Sequence, residues 1–275
     1  MMMVVVSDIH LGYTQQKREF IAFLDYLSEK PVNRLVIVGD LLDMWRRDIA
    51  GVIIENIDVF TKLEALQQRG VTIDIVAGNH DYHLKELKDR YQFTFHPSGL
   101  QLPMGPRTYT FYHGYEFDGF QLWYWFEWLC LSTDEAGQYF EEFWRNLRTI
   151  AGFWHSLMNA FKKRRSRKIY ELIFRPPEQR LEYEAVRREA LTEQAKHGIE
   201  YLIYGHTHEP FLSTNQTIAN TGSWCQTDPD KCPHYNTFLE ISEHEIELKK
   251  WRHQQEELIS ETFTPTQLIK QPVLY

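Results

Sequence analysis

Short runs of β-branched and aliphatic residues alternate with longer amphipathic stretches over the first 114 residues, and polar residues collect just after each apolar run. The runs predict strands at 3–6, 35–38, 71–77 and 108–112. Between them, 16–29 sets Phe20, Ile21, Phe23, Leu24 and Leu27 at helical spacing, and 55–68 does the same with Ile57, Phe60, Leu63 and Leu66. This alternation predicts a layered α/β architecture. From about Gly119 to His197 the texture turns helical, Trp-rich and, in its middle, basic. Strands return at 201–204 and 217–219, then in a hairpin of 237–241 and 245–251 around Glu243-His244. The polar tail after Trp251 contains Pro265 and Pro272 and is expected to lie over the surface or fray.

Composition narrows the class. The 275 residues carry 30 Lys+Arg against 38 Asp+Glu, a net charge of −8, with 43% hydrophobic and 25% charged residues. These values sit near the globular average and exclude disordered, collagen-like and low-complexity chains. One large domain with an elaborated insertion fits best: a core of 1–118 and 199–251, a helical, aromatic and basic cap of 119–198, and a tail of 252–275. Cys130, Cys225 and Cys232 lack C-x-x-C spacing, which argues for free thiols in a reducing compartment. The N-terminus has no basic segment and reaches Asp8 too early for a signal peptide. The most apolar run, 122–131, contains Glu127 and is shorter than the roughly 18 residues a spanning helix needs. A cytoplasmic protein is the expectation.

Five short motifs sit where predicted strands end: Asp8-Ile9-His10, Gly39-Asp40-Leu41-Leu42-Asp43, Gly78-Asn79-His80-Asp81, His113-Gly114 and Gly205-His206-Thr207-His208. Strand ends of an α/β sheet converge on one edge, where ligands bind. Asp8, His10, Asp40, Asn79, His113, His206 and His208 are therefore expected to share a pocket. Mixed imidazoles and carboxylates suit Mn, Fe or Zn better than Mg or Ca. In an extended turn, residues i and i+2 face the same way, so D-x-H and H-x-H can each aim two donors at one ion. A carboxylate such as Asp40 has lone pairs enough to bridge two cations. Each motif alone is ordinary, since Asn-His-Asp is also common turn chemistry. The ordered set carries the reading.

That set resembles the calcineurin-like metallophosphoesterase superfamily. The resemblance covers 3–225 apart from the helical insertion, and implies two facing mixed sheets flanked by helices. It implies a dinuclear centre of divalent ions, Mn first with Fe or Zn as alternatives. Asp8, His10, Asp40 and His208 would hold one ion, and Asp40, Asn79, His113 and His206 the other. A hydroxide bridging ions about 3.5–4 Å apart would attack phosphorus in line in a phosphomonoester, phosphodiester or pyrophosphate. His80 would contact the phosphate and assist the leaving group, with Asp81 as its orienting partner. Asp43 supports the loop in that pattern and is left outside the site.

The insertion bears on the substrate. Residues 119–180 hold 15 aromatic residues, among them Trp123, Trp125, Trp128, Trp144 and Trp154. Their place between His113-Gly114 and the H-x-H motif is similar to the helical cap of the UDP-2,3-diacylglucosamine pyrophosphatases, and Trp45 matches an aromatic of their second motif. Such a cap implies a small-molecule or lipid-linked phosphate substrate, bound by Asn79, Trp45, Arg164 and Arg165. Two readings of it stand: aromatics that bury acyl chains or stack on a base, or aromatics that form the cap's own core. The run 162–168 holds six cations in seven residues, which would meet phosphates or an anionic membrane surface, or else form a solvated face. Residues 145–175 sum to +8, so the acidic average hides a basic segment. One position departs: the lipid A enzymes carry Arg where this chain has His80. The first motif and the His of GNHD also look like those of DNA-repair exonucleases, which keeps nucleic acid open as a substrate. Those enzymes carry a capping domain after the last metal motif, whereas 67 residues follow His208 here. A non-catalytic scaffold of the same fold is a third reading, and the full donor set argues against it.

Overall fold

A computed structural model describes residues 1–44, 48–117, 179–225, 234–252, 254–259 and 262–263. Trp45, Arg164, Arg165 and residues 119–178 of the expected cap lie outside the described residues. In chain order the elements are β1 (Met3–Val6), α1 (Lys17–Glu29), β2 (Arg34–Val38), α2 (Ile49–Glu55), α3 (Ile57–Gln68), β3 (Thr72–Val76), a 3-10 turn (Tyr82–Leu87), α4 (Lys88–Tyr91), β4 (Thr94–His96), β5 (Leu100–Met104), β6 (Arg107–Phe111) and a second 3-10 turn (Tyr115–Phe117). There follow α5 (Gln179–His197), β7 (Tyr201–Tyr204), β8 (Phe211–Ser213), β9 (Ile218–Asn220), β10 (Thr237–Ile241), β11 (Ile246–Arg252), β12 (Gln255–Leu258) and β13 (Thr262–Phe263).

Two mixed sheets face each other. The first has seven strands in the order β12-β11-β10-β1-β2-β3-β4, with β1 to β4 parallel and β10 antiparallel to β1. The second has six, in the order β13-β8-β9-β7-β6-β5. Central β1 is buried on both faces, which is why it reads as an uninterrupted apolar run. Its alternation divides the core: Val4 and Val6 pack with Phe20, Phe23 and Leu24 of α1, while Met3 and Val5 pack with Tyr109, Phe111 and Ile203 of the second sheet. Each fully buried Phe contributes about 1.5–3 kcal/mol. The outer face of the second sheet is covered by α5, which lays Val186, Ala190 and Leu191 on Leu202, Tyr204, Phe211 and Ile218.

The helix predicted over 55–68 is present as α3, and a further helix, α2, precedes it. Asp48 caps α2 by accepting from the Gly51 amide at 2.7 Å, and Asn56 closes it, its side-chain amide donating to the Val52 carbonyl at 2.7 Å. At the other end of the layer α1 stops where Lys30 becomes extended before Pro31. Two expectations about segments change. Helix α5 falls inside 119–198 yet packs on the sheet, so that part of the segment belongs to the core packing. The tail supplies strands: β12 pairs with β11 and β13 runs parallel to β8.

Candidate metal centre

Five of the seven candidate donors leave a strand end through a kinked backbone. Asp8, His10, Asp40, His206 and His208 have φ of 52°, 49°, 56°, 66° and 60°, in the left-handed region that non-glycine residues seldom adopt. The D-x-H and H-x-H donors thus converge through these kinks, not through the extended turn expected from the sequence. Parallel β1 and β2 hold the first two loops together beyond their ends: the His10 amide donates to the Asp40 carbonyl at 2.8 Å and the Leu11 amide to the Leu41 carbonyl at 2.9 Å. Gly39, at φ 81°, is needed because a Cβ there would fall on the His113 imidazole.

The donors meet in three overlapping groups: Asp8, His10 and His208; His10, Asp40 and His80; Asp8, Asp40 and His113. In each group the ligand atoms lie within 4.8 Å of one another. Asp40 Oδ2 sits between two imidazoles, 3.5 Å from His10 Nε2 and 3.3 Å from His113 Nε2. Its Oδ1 accepts from the His80 amide at 2.9 Å. Asn79 Oδ1 is 3.1 Å from His113 Nε2. His206 falls in none of these groups, although its ring centroid is 5.3 Å from that of His113. His80, read as a non-ligand, stands close enough to be grouped with the donors. Trp45, Arg164 and Arg165 lie outside the described residues.

The chemistry of this set fits cations. Among the described residues, the groups within ion-pair distance of Asp8 and Asp40 are imidazoles. His10 Nε2 and His208 Nε2 approach to 3.2 Å, and two imidazole lone pairs so close need a proton or a metal between them. Asp8 Oδ1 is buried with no hydrogen-bond partner. His113 Nδ1 donates to the Val38 carbonyl at 2.7 Å, which leaves Nε2 as the atom facing the centre. Burial opposes a charge on His113, yet Asp40 and then Asp8 push its imidazole up to about 10. Burial likewise opposes ionisation of Asp8, but His208 and His113 hold its carboxyl down to about 2. Asp40 is held well below the usual carboxylate range by His113 and His80 against the same burial. The carboxylates are therefore ionised in a dry site, held so by imidazoles whose places beside them suit cations as well.

Asp81 does not orient His80. Its Oδ2 accepts from the amides of Leu41 (2.6 Å) and Leu42 (3.3 Å) and its Oδ1 from the Gly78 amide (3.0 Å), so it ties the Asp40 and Asn79 loops together. Burial and repulsion by Asp40 push its carboxyl up to about 7. The carboxylate beside His80 is Asp43, whose Oδ1 lies 3.3 Å from His80 Nδ1 and whose Oδ2 lies 3.5 Å from His10 Nδ1. Asp43 is fully buried. The sequence signal was present in the second carboxylate of Gly39-Asp40-Leu41-Leu42-Asp43, but its partners come from two other loops.

The sequence profile of the calcineurin-like phosphoesterase family matches residues 1–210. A UDP-2,3-diacylglucosamine hydrolase from Nitrosococcus oceani is 28% identical over 218 residues, covering 74% of this chain and 78% of the relative. Among solved structures, a predicted phosphoesterase from Streptococcus pneumoniae aligns over 94% of this chain and 96% of its own at 13% identity, with a TM-score of 0.40. The nuclease MPE of Pseudomonas putida aligns over 94% and 87% at 12% identity, with a TM-score of 0.38. With a family match that spans most of the two-sheet core and every candidate donor loop, the chain belongs to the calcineurin-like phosphoesterase family and is a phosphohydrolase.

Proposed function

We propose that the chain is a dinuclear, Mn-dependent pyrophosphatase of a nucleotide-linked acylated sugar of the UDP-2,3-diacylglucosamine type. The observation that carries the metal chemistry is the convergence of Asp8, His10, Asp40, His80, His113 and His208 from separate strand ends on one buried point. The named relative supports the substrate class. Asp8, His10, Asp40 and His208 would hold one ion, and Asp40, Asn79, His113 and His206 the other. Bound divalent ions supply charge neutralisation at phosphorus and an acidified water.

The chain's own residues do the rest. Asp40 Oδ2, set between His10 and His113, is placed to be shared. Asp43 accepts from Nδ1 of His80, which leaves Nε2 to meet the phosphate and deliver a proton to the departing oxygen. Trp45, Arg164 and Arg165 complete the substrate site in this reading. The basic run 162–168 draws a cytoplasmic enzyme to the anionic surface where such a lipid resides.

A substrate panel with Mn²⁺ tests this: UDP-2,3-diacylglucosamine, a cyclic nucleotide, single- and double-stranded DNA, and an aryl phosphate diester. The expected result is cleavage of the acylated nucleotide sugar to UMP and a lipid-linked phosphate in clear preference to the others. Preferential degradation of DNA would overturn the substrate and favour a nuclease. No hydrolysis of any member would overturn the catalytic reading.

A further inference from the structure

Asp8 is held from behind by a segment that no strand-end motif includes, residues 220–225. Its two carboxylate oxygens are treated differently. Oδ2 accepts from the Ser7 hydroxyl and, at 2.9 Å, from the His206 amide, whereas Oδ1 is buried without a hydrogen-bond partner, 3.2 Å from His208 Nε2. Behind Ser7 stands Thr221, with Oγ1 2.5 Å from Ser7 Oγ. Behind Thr221 stands Thr237, whose hydroxyl donates to the Thr221 carbonyl at 2.6 Å. Ser7, Asp8, Thr221 and Thr237 are all fully buried.

Proton counting gives this chain a direction. Each hydroxyl has one hydrogen to donate. The carboxylate is the strongest acceptor within reach of Ser7, so Ser7 donates to Asp8, and its oxygen is free to accept from Thr221. The alternative acceptor for Thr221, the Tyr204 carbonyl, is farther away at 3.4 Å. Successive hydroxyls ending on a carboxylate polarise one another in the same sense. The backbone of Asp8 is fixed by the same segment: its carbonyl accepts from the Ser223 hydroxyl at 3.0 Å and from the Trp224 amide at 3.0 Å. Asn220 extends the brace to the H-x-H loop, donating to the Gly205 carbonyl at 2.7 Å and to Thr207 Oγ1 at 3.1 Å. A Cβ on Gly205 would fall on Ser7 Oγ and Asp8 Oδ2, so glycine there lets the H-x-H loop pack directly against the pair.

We propose that Ser7 and Thr221 are positioning residues, a directed hydroxyl relay that occupies Asp8 Oδ2 and thereby reserves Oδ1 for a cation shared with His10 and His208. The inference rests on the metal-centre reading. It differs from a purely structural network in predicting an effect confined to one ion.

The test is a calorimetric titration of the chelator-stripped full chain with Mn²⁺, wild type beside Ser7→Ala, Thr221→Val and Thr221→Ser, with the melting temperature of each metal-free variant measured in parallel. Ser7→Ala and Thr221→Val are expected to weaken one binding step by about 10–100-fold and to leave the other near wild type. Thr221→Ser keeps the hydroxyl and is expected to restore the weakened step. Thr221→Val preserves side-chain shape and carries the test should Ser7→Ala fail to fold. Wild-type affinity in both hydroxyl-deleted variants would overturn the relay. So would a parallel loss of both steps with the metal-free melting temperature, which marks a structural role. A wild-type chain that binds no Mn²⁺ would remove the metal reading itself, an outcome distinct from the other two.

Discussion

Asp43 is the residue on which two imidazoles depend, and its chemistry sets a sharp expectation. As a carboxylate it accepts from Nδ1 of His80 through Oδ1 at 3.3 Å and lies within 3.5 Å of His10 Nδ1 through Oδ2, which turns both Nε2 atoms toward the centre. Asp43→Asn keeps the shape but turns one oxygen into a donor. If the new NH₂ faces His80, that ring loses the acceptor that orients its proton-delivering Nε2; if it faces His10, Nε2 must carry the hydrogen where a cation needs a lone pair. Turnover of an aryl phosphate diester is expected to fall by about 10–100-fold, with the melting temperature close to wild type. Full activity in Asp43→Asn would show that neither imidazole relies on it. The five D-x-H, GD, GNHD, H-G and H-x-H motifs were legible because each combines a donor with a strand end a few residues apart. Asp43 and Ser7 were not, because their roles lie in partners about 37 and 214 positions along the chain. The positive φ values were equally hidden: Asp and His tolerate a left-handed backbone better than most residues but seldom adopt it, and strain of this kind persists only where surrounding bonds over-determine it.

At the scale of elements, apolar alternation located the buried strands well and the edge strands poorly. β1, β7 and β10 coincide with their predicted ranges because their residues are buried and β-branched or aromatic. The edge strand β4 is three residues long, as is the interior strand β8, and β5 contains Pro103, which an edge position tolerates. β12, Gln255–Leu258, is polar because it is the outermost strand of its sheet. What attaches it to the fold is an ionic cluster: Lys249 Nζ lies 3.1 Å from Glu240, 2.9 Å from Glu247 and 3.7 Å from Glu256, and Tyr26 of α1 donates to Glu256 at 2.7 Å. Burial works against the charge of Lys249, but its bonds to Glu247 and Glu240 raise its pKa above 10.5. Burial also opposes ionisation of Glu256, yet Tyr26 and Lys249 lower its pKa below 4.5. The raised lysine contributes stability that is lost as pH climbs through its folded pKa. The lowered glutamate contributes stability that is lost as pH falls through its own. Lys249→Met is therefore expected to destabilise the chain by about 1–2 kcal/mol between these limits, discounted for the part-exposed glutamates. Urea unfolding at neutral pH and again near pH 4 measures it, and the difference from wild type should shrink in acid. An equal difference at both pH values would separate Lys249 from the glutamates.

For the whole molecule, the same dry site that suits cations couples metal binding to folding. Asp8 and Asp40 are buried beside the imidazoles of His10, His113 and His208, in a centre that joins the ends of both sheets. Removing ionised carboxylates from water is costly, and in the metal-free chain the neighbouring imidazoles offset it by holding protons that a cation would displace. An unfolded chain scatters these donors over some two hundred residues and cannot chelate, so binding energy enters folding energy. At a free ion concentration about 100 times Kd, one site adds about 2.7 kcal/mol. For a domain of this size each kcal/mol moves Tm by about 2–4 °C, which makes the expected rise about 5–10 °C per ion. The effect should be saturable, reversed by a chelator, and reduced in Asp40→Asn, because Asp40 Oδ2 stands between the two imidazoles His10 and His113. Differential scanning fluorimetry of the stripped chain with increasing Mn²⁺ measures it directly. A melting temperature indifferent to Mn²⁺ in the wild-type chain would mean that the converged carboxylates and imidazoles are balanced by their own protons, and that the centre is not a metal site.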